Sequence, residues 1–254
     1  VYEGKDRFDQ AVECHREALA LYETDGKHGF ETACVMRQIG LCRLRSGAFD
    51  QSRTAFERAL ELFEKQDDFI NKSRVLNGLS LVAQARGDLD GALDAAEKSV
   101  AAALESKDGF EIAANRLLLG GLMIEKDPAG GEIEKLLTDA LAFFKTAGKK
   151  AENANAAAAL GLMHLRRGDW ARAESFFRDS LHIEEMLHRS LGQASDYSNL
   201  GLIASKRGQS QKAAEYWQKA ALLFEKSGDL STANYFKEQS RLMWGEAAGL
   251  PRPK

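Results

Sequence analysis

Apolar residues recur along the chain at the three-to-four-residue spacing of amphipathic helices. Alanine, leucine, glutamate, lysine and arginine, which favour helix, fill most of the positions between them. Of the three prolines, only Pro128 lies outside the last four residues. The pattern therefore predicts helices along nearly the whole chain and no β-strands.

A pair formed by a large apolar residue and a small residue returns at an almost constant interval. The pairs are Ile39-Gly40, Leu79-Ser80, Leu119-Gly120, Leu160-Gly161 and Leu200-Gly201. Their second members stand 40, 40, 41 and 40 residues apart. Because a small residue lets a neighbouring helix approach closely, this interval predicts a repeated structural unit.

Each unit is predicted to contain a turn followed by a second helix. Seven residues after the small residue, four units carry a glycine next to basic residues, at Gly47, Gly87, Gly168 and Gly208. Glycine accepts the left-handed conformation that ends a helix, and basic side chains favour a helix C-terminus. Asp88 and Asp169 follow two of these glycines and are predicted to cap the second helix. A further apolar series completes that helix at Leu60, Val100, Leu141, Leu181 and Ala221.

The order of these residue types resembles the tetratricopeptide repeat. After the Leu-Gly pair and the Gly-Asp turn come a small residue, such as Ala173, and an aromatic residue, such as Phe56, Phe177 or Trp217. The resemblance covers nearly the whole chain. The length of the repeat is similar to the long variety found in kinesin light chain, rapsyn, Pins-type adaptors and MalT-like arrays. It implies an all-α fold, a right-handed α-solenoid of antiparallel helix pairs.

We expect one solenoid over residues 1–247 and a disordered tail over 248–254. A half-repeat at 5–27 precedes five full repeats, and a capping helix follows at 230–245. The repeats are predicted at 31–68, 70–108, 110–148, 151–189 and 191–228. Residues 8–24 would be a lone second helix and Val1–Lys5 the end of its partner helix, so we expect the chain to be a piece of a longer one.

The third repeat departs from the pattern at its turn. Asp127-Pro128-Ala129-Gly130-Gly131 is one residue longer than the other turns and lacks the Gly-Asp pair. Proline removes a backbone donor and disfavours helical geometry before it, so the first helix should end near Lys126. The loop is either a tolerated surface insertion or a mobile hinge or partner-contacting loop.

Composition and charge argue against several classes of function for this chain, among them nucleic-acid binding, membrane insertion and metal-dependent catalysis. The formal net charge is −3 and the pI is near 6.0, so we expect no general attraction to nucleic acid. The longest apolar run, Ala156–Met163, is too short to span a bilayer. Three cysteines without CxxC spacing and five scattered histidines predict reduced thiols, a cytoplasmic location, and no metal, cofactor or catalytic residues.

The resemblance implies that the first helix of each repeat lines a concave groove. Counting from the Leu-Gly pairs gives the predicted partner-binding residues Arg37, Leu41, Leu44, Arg45, Arg74, Asn77, Leu81, Gln84, Leu117, Ile124, Asn155, Leu162, Leu165, Arg166, Ser198, Leu202 and Lys206. An exposed apolar strip beside positive charge is typical of a groove for an amphipathic, acidic segment. Alternatively, the leucines pack only between adjacent first helices and the basic residues only offset the helix C-termini.

The leading hypothesis is a non-enzymatic module or scaffold that binds a segment or domain of another protein. A second hypothesis is the effector-sensing arm of a larger bacterial transcriptional regulator or signalling ATPase. Self-association is the third. None of these requires a cofactor or membrane insertion.

Overall fold

The computed structural model describes residues 2–23 and 28–248, and this part of the chain forms twelve α-helices and no β-strand. The helices are α1 Tyr2–Glu23, α2 Gly29–Arg45, α3 Phe49–Glu64, α4 Phe69–Ala85, α5 Leu89–Ser106, α6 Gly109–Lys126, α7 Gly131–Thr146, α8 Lys150–Arg166, α9 Trp170–Met186, α10 Ser190–Lys206, α11 Ser210–Lys226 and α12 Leu230–Ala247. The all-α prediction is therefore confirmed.

The chain forms two compact units, Val1–Lys126 (unit 1) and Asp127–Lys254 (unit 2). In each unit every helix packs against the next one along the chain. Turns of two to four residues join α2 through α6, and three-residue turns join α7 through α12, so neighbours run antiparallel. First helices also touch each other, α2 against α4 and α4 against α6 in unit 1, and α8 against α10 in unit 2. That all five repeats form one solenoid stays a prediction.

The turns carry the conformations that the sequence predicts. The backbone φ angle is +78° at Gly47, +79° at Gly87 and +78° at Gly168, in the left-handed region that side chains other than glycine rarely adopt. The Asp88 carboxylate accepts a hydrogen bond from the backbone N–H of Gly91 at 2.9 Å, which makes it the N-cap of α5. Asp169 caps α9 in the same way, at 3.1 Å from the Arg172 nitrogen.

Within a repeat, the small residue of the first helix lies against an aromatic ring of the second. A Cβ added to Gly40 would lie 2.7 Å from Phe56 Cδ1. The first helix of the next repeat approaches the same ring, and a Cβ added to its Gly78 would lie 2.5 Å from Phe56 Cζ. Unit 2 repeats the arrangement with Gly161 against Phe177, at 3.0 Å. These distances are shorter than carbon–carbon contacts allow, so glycine is what lets each ring lie on the helix backbone.

Two boundary predictions need correction, and two others fall outside the described residues. Tyr2–Lys5 belong to α1 and are not the end of a separate helix, because no proline or turn interrupts the chain before Phe8. The capping helix α12 continues to Ala247, two residues beyond the predicted end. The end of the half-repeat at 24–27 and the tail at 249–254 lie outside the described residues.

Buried polar side chains occupy equivalent places in the two units. Asn115 in α6 is 1% exposed, and its Oδ1 accepts a hydrogen bond from the Ser99 hydroxyl at 2.5 Å. Its amide nitrogen donates to the backbone carbonyl of Glu111 at 2.8 Å. Asp196 in α10 is also 1% exposed and hydrogen-bonded to Ser180, which likewise lies sixteen residues earlier. Asp196 therefore holds a carboxyl group where unit 1 holds an amide.

The pKa of the buried Asp196 carboxyl group is strongly raised. Burial raises the pKa of its carboxyl group from 3.8 to about 7, the Ser180 hydrogen bond acts in the opposite direction, and the charge of Glu184 adds to the rise. One of its oxygens, Oδ2, has no hydrogen-bond partner in the part of the chain that the structure describes. The carboxylate form is therefore poorly accommodated in the folded protein.

Gly40→Ala tests the contact between helix backbone and aromatic ring. The substitution should lower the free energy of unfolding by about 1 to 3 kcal/mol, because the new methyl group forces the Phe56 ring or α3 to move. Gly121→Ala is the control, since no atom lies within 4 Å of an added Cβ there. It should raise stability by up to about 1 kcal/mol through helix propensity. Urea unfolding of both variants measures the difference, and equal effects would contradict the packing account.

Asp196→Asn tests the buried carboxyl group. Because the folded pKa lies above the unfolded one, Asp196 should cost stability increasingly as pH rises from about 4 to about 7, and by a constant amount above that. The amide should therefore raise the free energy of unfolding at pH 8 by a few kcal/mol, on the order of the shift converted at 1.4 kcal/mol per pKa unit, and change it little at pH 4.

Urea unfolding between pH 4 and pH 8 measures this effect, with Asp179→Asn, an exposed change on α9, as the control. Some dependence on pH should remain in Asp196→Asn, because burial also raises the pKa of Glu184. A difference between Asp196→Asn and the parent chain that does not vary with pH would refute the assignment.

Candidate functional site

The candidate site is the side of the first helices that faces away from the second helices, which we call the first-helix face. In unit 1 it is formed by α2, α4 and α6, and in unit 2 by α8 and α10. The predicted site residues on α4 follow a spacing of three, four and three residues, which keeps them on one side of the helix. Each unit presents its own first-helix face.

In unit 1, every polar site residue predicted on α4 already has a partner on α6. The hydrogen bonds run from Arg74 Nε to Glu111 Oε1 (2.7 Å), from Asn77 Nδ2 to Asn115 Oδ1 (2.9 Å) and from Gln84 Nε2 to Glu125 Oε2 (3.0 Å). Sequence reasoning missed these acceptors. The signal is in the sequence, since each acceptor lies 37 to 41 residues after its donor, about one repeat downstream on the next first helix.

Arg37 on α2 breaks this series. One repeat downstream of it stands Arg74 and not an acid, so two guanidinium groups neighbour each other with Glu111 as the nearby carboxylate. Arg37 is half-buried, and its Nε is buried without a hydrogen-bond partner among the described residues. Burial, and then the charge of Arg74, lowers the pKa of the Arg37 guanidinium. The pair therefore carries a positive charge that the described protein groups do not fully neutralise.

The leucines of unit 1 form a half-buried strip beside these charges. Leu41 and Leu44 pack against a core cluster that contains Phe56 and Phe63. Leu81 and Leu117 are half-buried, and Arg45 is exposed. Ile124 was predicted on the same face, but its side chain is fully buried and offers no surface to a partner.

The first-helix face of unit 2 has two predicted charged residues, whereas that of unit 1 has three. Leu162 and Leu165 pack half-buried against a cluster containing Phe177 and Leu200. Asn155 is exposed and accepts a long hydrogen bond, 3.5 Å, from Arg189. The other predicted residues of this face are Arg166 and Lys206, both exposed, Ser198, which is half-buried, and Leu202, which is 37% exposed.

Both faces combine apolar side chains with positive charge. Accessible leucine side chains lie beside guanidinium and ammonium groups, which attract carboxylates and pack against apolar side chains. Among the described residues, no three His, Cys, Asp or Glu side chains are grouped so as to hold a metal ion. No described helix combines the length and apolar character that crossing a bilayer requires.

Several solved structures share this fold. The apo form of RapI is 16% identical, with a TM-score of 0.71 over 98% of this chain and 97% of that one. A Rap protein complexed with competence and sporulation factor is 13% identical, with a TM-score of 0.66 over 96% of this chain and 72% of that one. A putative kinesin light chain from Podosopora anserina with nearly identical TPR-like repeats is 15% identical, with a TM-score of 0.62 over 79% of this chain and 98% of that one.

Family models give the same result from sequence alone. One tetratricopeptide-repeat model matches residues 1–65 and 31–105, and a second matches residues 153–188. No curated protein matches the chain at a significant level. The two models together cover more than half of the chain, and the helix pairs that they match are present in the structure. The chain belongs to the tetratricopeptide-repeat family.

Proposed function

We propose that the chain is a protein–protein interaction module whose first-helix faces bind an amphipathic, acidic segment of a partner protein. Leucine side chains on these faces contact the apolar residues of the segment. On the face of unit 1, Arg37 and Arg45 lie near the carboxylates of the bound segment, and on the face of unit 2 Lys206 does. The proposal includes the predicted site residues of both units except the buried Ile124.

The observation that carries this proposal is that the positive charge of Arg37 has no carboxylate partner among the described residues. Its neighbour Arg74 has a carboxylate partner on the adjacent first helix, whereas Arg37 has none among the described residues. Arg37 is half-buried, so part of its side chain remains accessible, and a ligand carboxylate beside it would balance the positive charge that Arg37 and Arg74 carry. A peptide acid that binds beside Leu41 and Leu81 would therefore satisfy both the apolar strip and the guanidinium group.

The family and its structural neighbours support the same reading. Tetratricopeptide repeats are generally non-catalytic interaction modules, and one structural neighbour of this chain, a Rap protein, was solved in complex with competence and sporulation factor. We therefore assign the chain binding and no catalytic step. Its location in the cytoplasm is part of the same proposal.

A second candidate function is the sensing arm of a larger regulator. The observation in its favour is again the Rap protein, which matches 96% of this chain in structure and was solved in complex with competence and sporulation factor. In this case the segment bound on the first-helix face would be a free effector peptide and not part of a partner protein. Both functions use the same face, and the identity of a natural ligand would separate them.

Arg37→Gln tests the charged contact. A library of displayed random peptides, selected for binding to the purified chain, should become enriched in peptides with Asp or Glu next to Leu or Phe. Binding of an enriched peptide to Arg37→Gln should weaken about tenfold, which corresponds to about 1.4 kcal/mol, and should depend less on salt. Lys65→Gln, at the residue that follows α3, removes the same charge away from the face and should change affinity less than threefold. Enrichment of peptides without acids, or equal loss in both variants, would count against the proposal.

Leu81→Ser tests the apolar contact. Exposed ion pairs contribute only about 0 to 1 kcal/mol, so the leucines should supply most of the affinity and the charges mainly selectivity. Leu81→Ser should therefore weaken binding of the enriched peptide more than Arg37→Gln does, while leaving the salt dependence of binding unchanged. Leu104→Ser, an exposed leucine on α5, is the matched control. Titrations at low and high salt, with thermal unfolding of each variant, measure both effects, and unchanged binding by a folded Leu81→Ser would exclude this face.

A further inference from the structure

Unit 1 has a cleft on the side opposite its first-helix face. It has a volume of about 660 Å³ and lies between the second helices α3 and α5, with α4 beneath it. None of its lining residues belongs to the predicted site. The cleft is thus a separate surface with its own chemistry.

The packing of the helices explains why the cleft is open. The first helices α2, α4 and α6 pack directly against one another, and α4 packs against both α3 and α5. In the described part of unit 1, no comparable contact joins α3 to α5. Three alanines of α5, Ala95, Ala101 and Ala102, face the gap, and their short side chains do not fill it.

The floor of the cleft is apolar. It is formed by Leu60 of α3 and by Phe69, Leu76 and Leu79 of α4, together with the alanines of α5. Leu60, Phe69 and Leu79 are half-buried, so part of each side chain remains accessible from the cleft. An apolar side chain entering here would lose contact with water on several sides, which favours binding.

The rim of the cleft is acidic. Four carboxylates, Glu57, Glu64, Asp94 and Glu105, surround it together with two lysines. Lys72 is paired with Glu64 at 2.9 Å and Lys98 with Asp94 at 2.6 Å, so both lysines are already neutralised. Glu57 and Glu105 are exposed and have no ion-pair partner among the described residues. The rim therefore presents two net negative charges, one on each side of the gap.

A neighbouring cleft lacks this acidic rim. It has a volume of about 310 Å³, lies between α1 and α3, and is lined by Arg16, Arg43 and Arg58 and by no carboxylate among the described residues. Its Arg16 is paired with Glu13 and its Arg43 with Asp9. The α3–α5 cleft is about twice as large and holds unpaired carboxylates, so it is the better candidate for a ligand.

We propose that the α3–α5 cleft is a second docking site, which takes a partner segment with apolar side chains flanked by Lys or Arg. Apolar residues of the segment contact Leu60 and Leu79, and its basic residues lie beside Glu57 and Glu105. The lining residues run from Asp94 to Glu105 on α5, which spans about 16 Å and matches about three turns of a bound helix. The proposal is independent of the first-helix face, which prefers acidic segments.

The probe is a labelled amphipathic peptide built only of Leu and Lys in a helical pattern. Two matched peptides serve as controls, one with Ser in place of Leu and one with Glu in place of Lys. Fluorescence anisotropy with the intact chain should show binding of the Leu–Lys peptide at least tenfold tighter than that of the Ser–Lys peptide. The Leu–Glu peptide should not compete for the cleft, because the acidic rim repels it.

Two variants test where the probe binds. A double variant, Glu57→Lys with Glu105→Lys, should weaken binding of the Leu–Lys peptide at least tenfold. Glu61→Lys with Glu97→Lys, on the same two helices but outside the cleft, changes the net charge equally and should weaken it less than threefold. Ala101→Phe, at an exposed alanine of the lining, should block the cleft and weaken binding by a similar factor to the first pair. Leu81→Ser on the first-helix face should leave binding of this probe unchanged.

Equal loss in the two charge-reversal pairs would show general electrostatic attraction and would overturn the proposal. So would equal binding of the Leu–Lys and Ser–Lys peptides, since the apolar floor would then contribute nothing. If Ala101→Phe did not fold, which thermal unfolding would show, the comparison of the two charge-reversal pairs would still decide the matter.

Discussion

The close approach of two helices within each repeat is the contact on which the rest of the structure depends. Phe56 shows it most clearly, because the ring lies between Gly40 of its own repeat and Gly78 of the next, too close to either backbone for a Cβ. One aromatic side chain thus joins three helices. Since each repeat buries its apolar surface mainly against its neighbours, this contact sets the spacing between helices and therefore the surfaces that the helices expose.

The second repeat shows how the same constraint is met without an aromatic ring. Position 96, which corresponds to Phe56, is alanine, and the small residue of the first helix is Ser80. The Ser80 hydroxyl donates a hydrogen bond to the Ala92 carbonyl at 2.7 Å, so a polar contact joins the two helices there. The second helix of this repeat, α5, is rich in alanine, and three further alanines face the cleft on its outer side. A small-residue composition in one helix thus changes both its internal packing and the surface it presents.

The sequence predicted the elements of this fold well because their signals are local. Glycines that end helices, aspartates that begin them and Pro128 before α7 act within a few residues, and α6 ends at Lys126 as expected. The hydrogen bonds between first helices were not predicted, because they depend on how two helices a repeat apart are aligned. Arg74, Asn77 and Gln84 were predicted as accessible groove residues because each position was considered by itself. The structure shows that each of them is hydrogen-bonded to a residue of α6. Ile124 was misjudged for the same reason, since burial depends on neighbouring elements and not on position within one helix.

Pairing across helices also explains how a chain of nearly balanced charge can present faces of different charge. On the first-helix face of unit 1, Glu111 neutralises Arg74, and Arg37 is left without a partner of its own. Across the α3–α5 cleft, two lysines neutralise two of four carboxylates, and Glu57 and Glu105 remain. In both places the residual charge stands next to accessible apolar side chains, where a bound segment would exclude water and strengthen the interaction between charges. The two surfaces of unit 1 therefore carry residual charges of opposite sign, which is the basis of the two binding proposals, although the net charge of −3 indicates a preference for neither acidic nor basic segments.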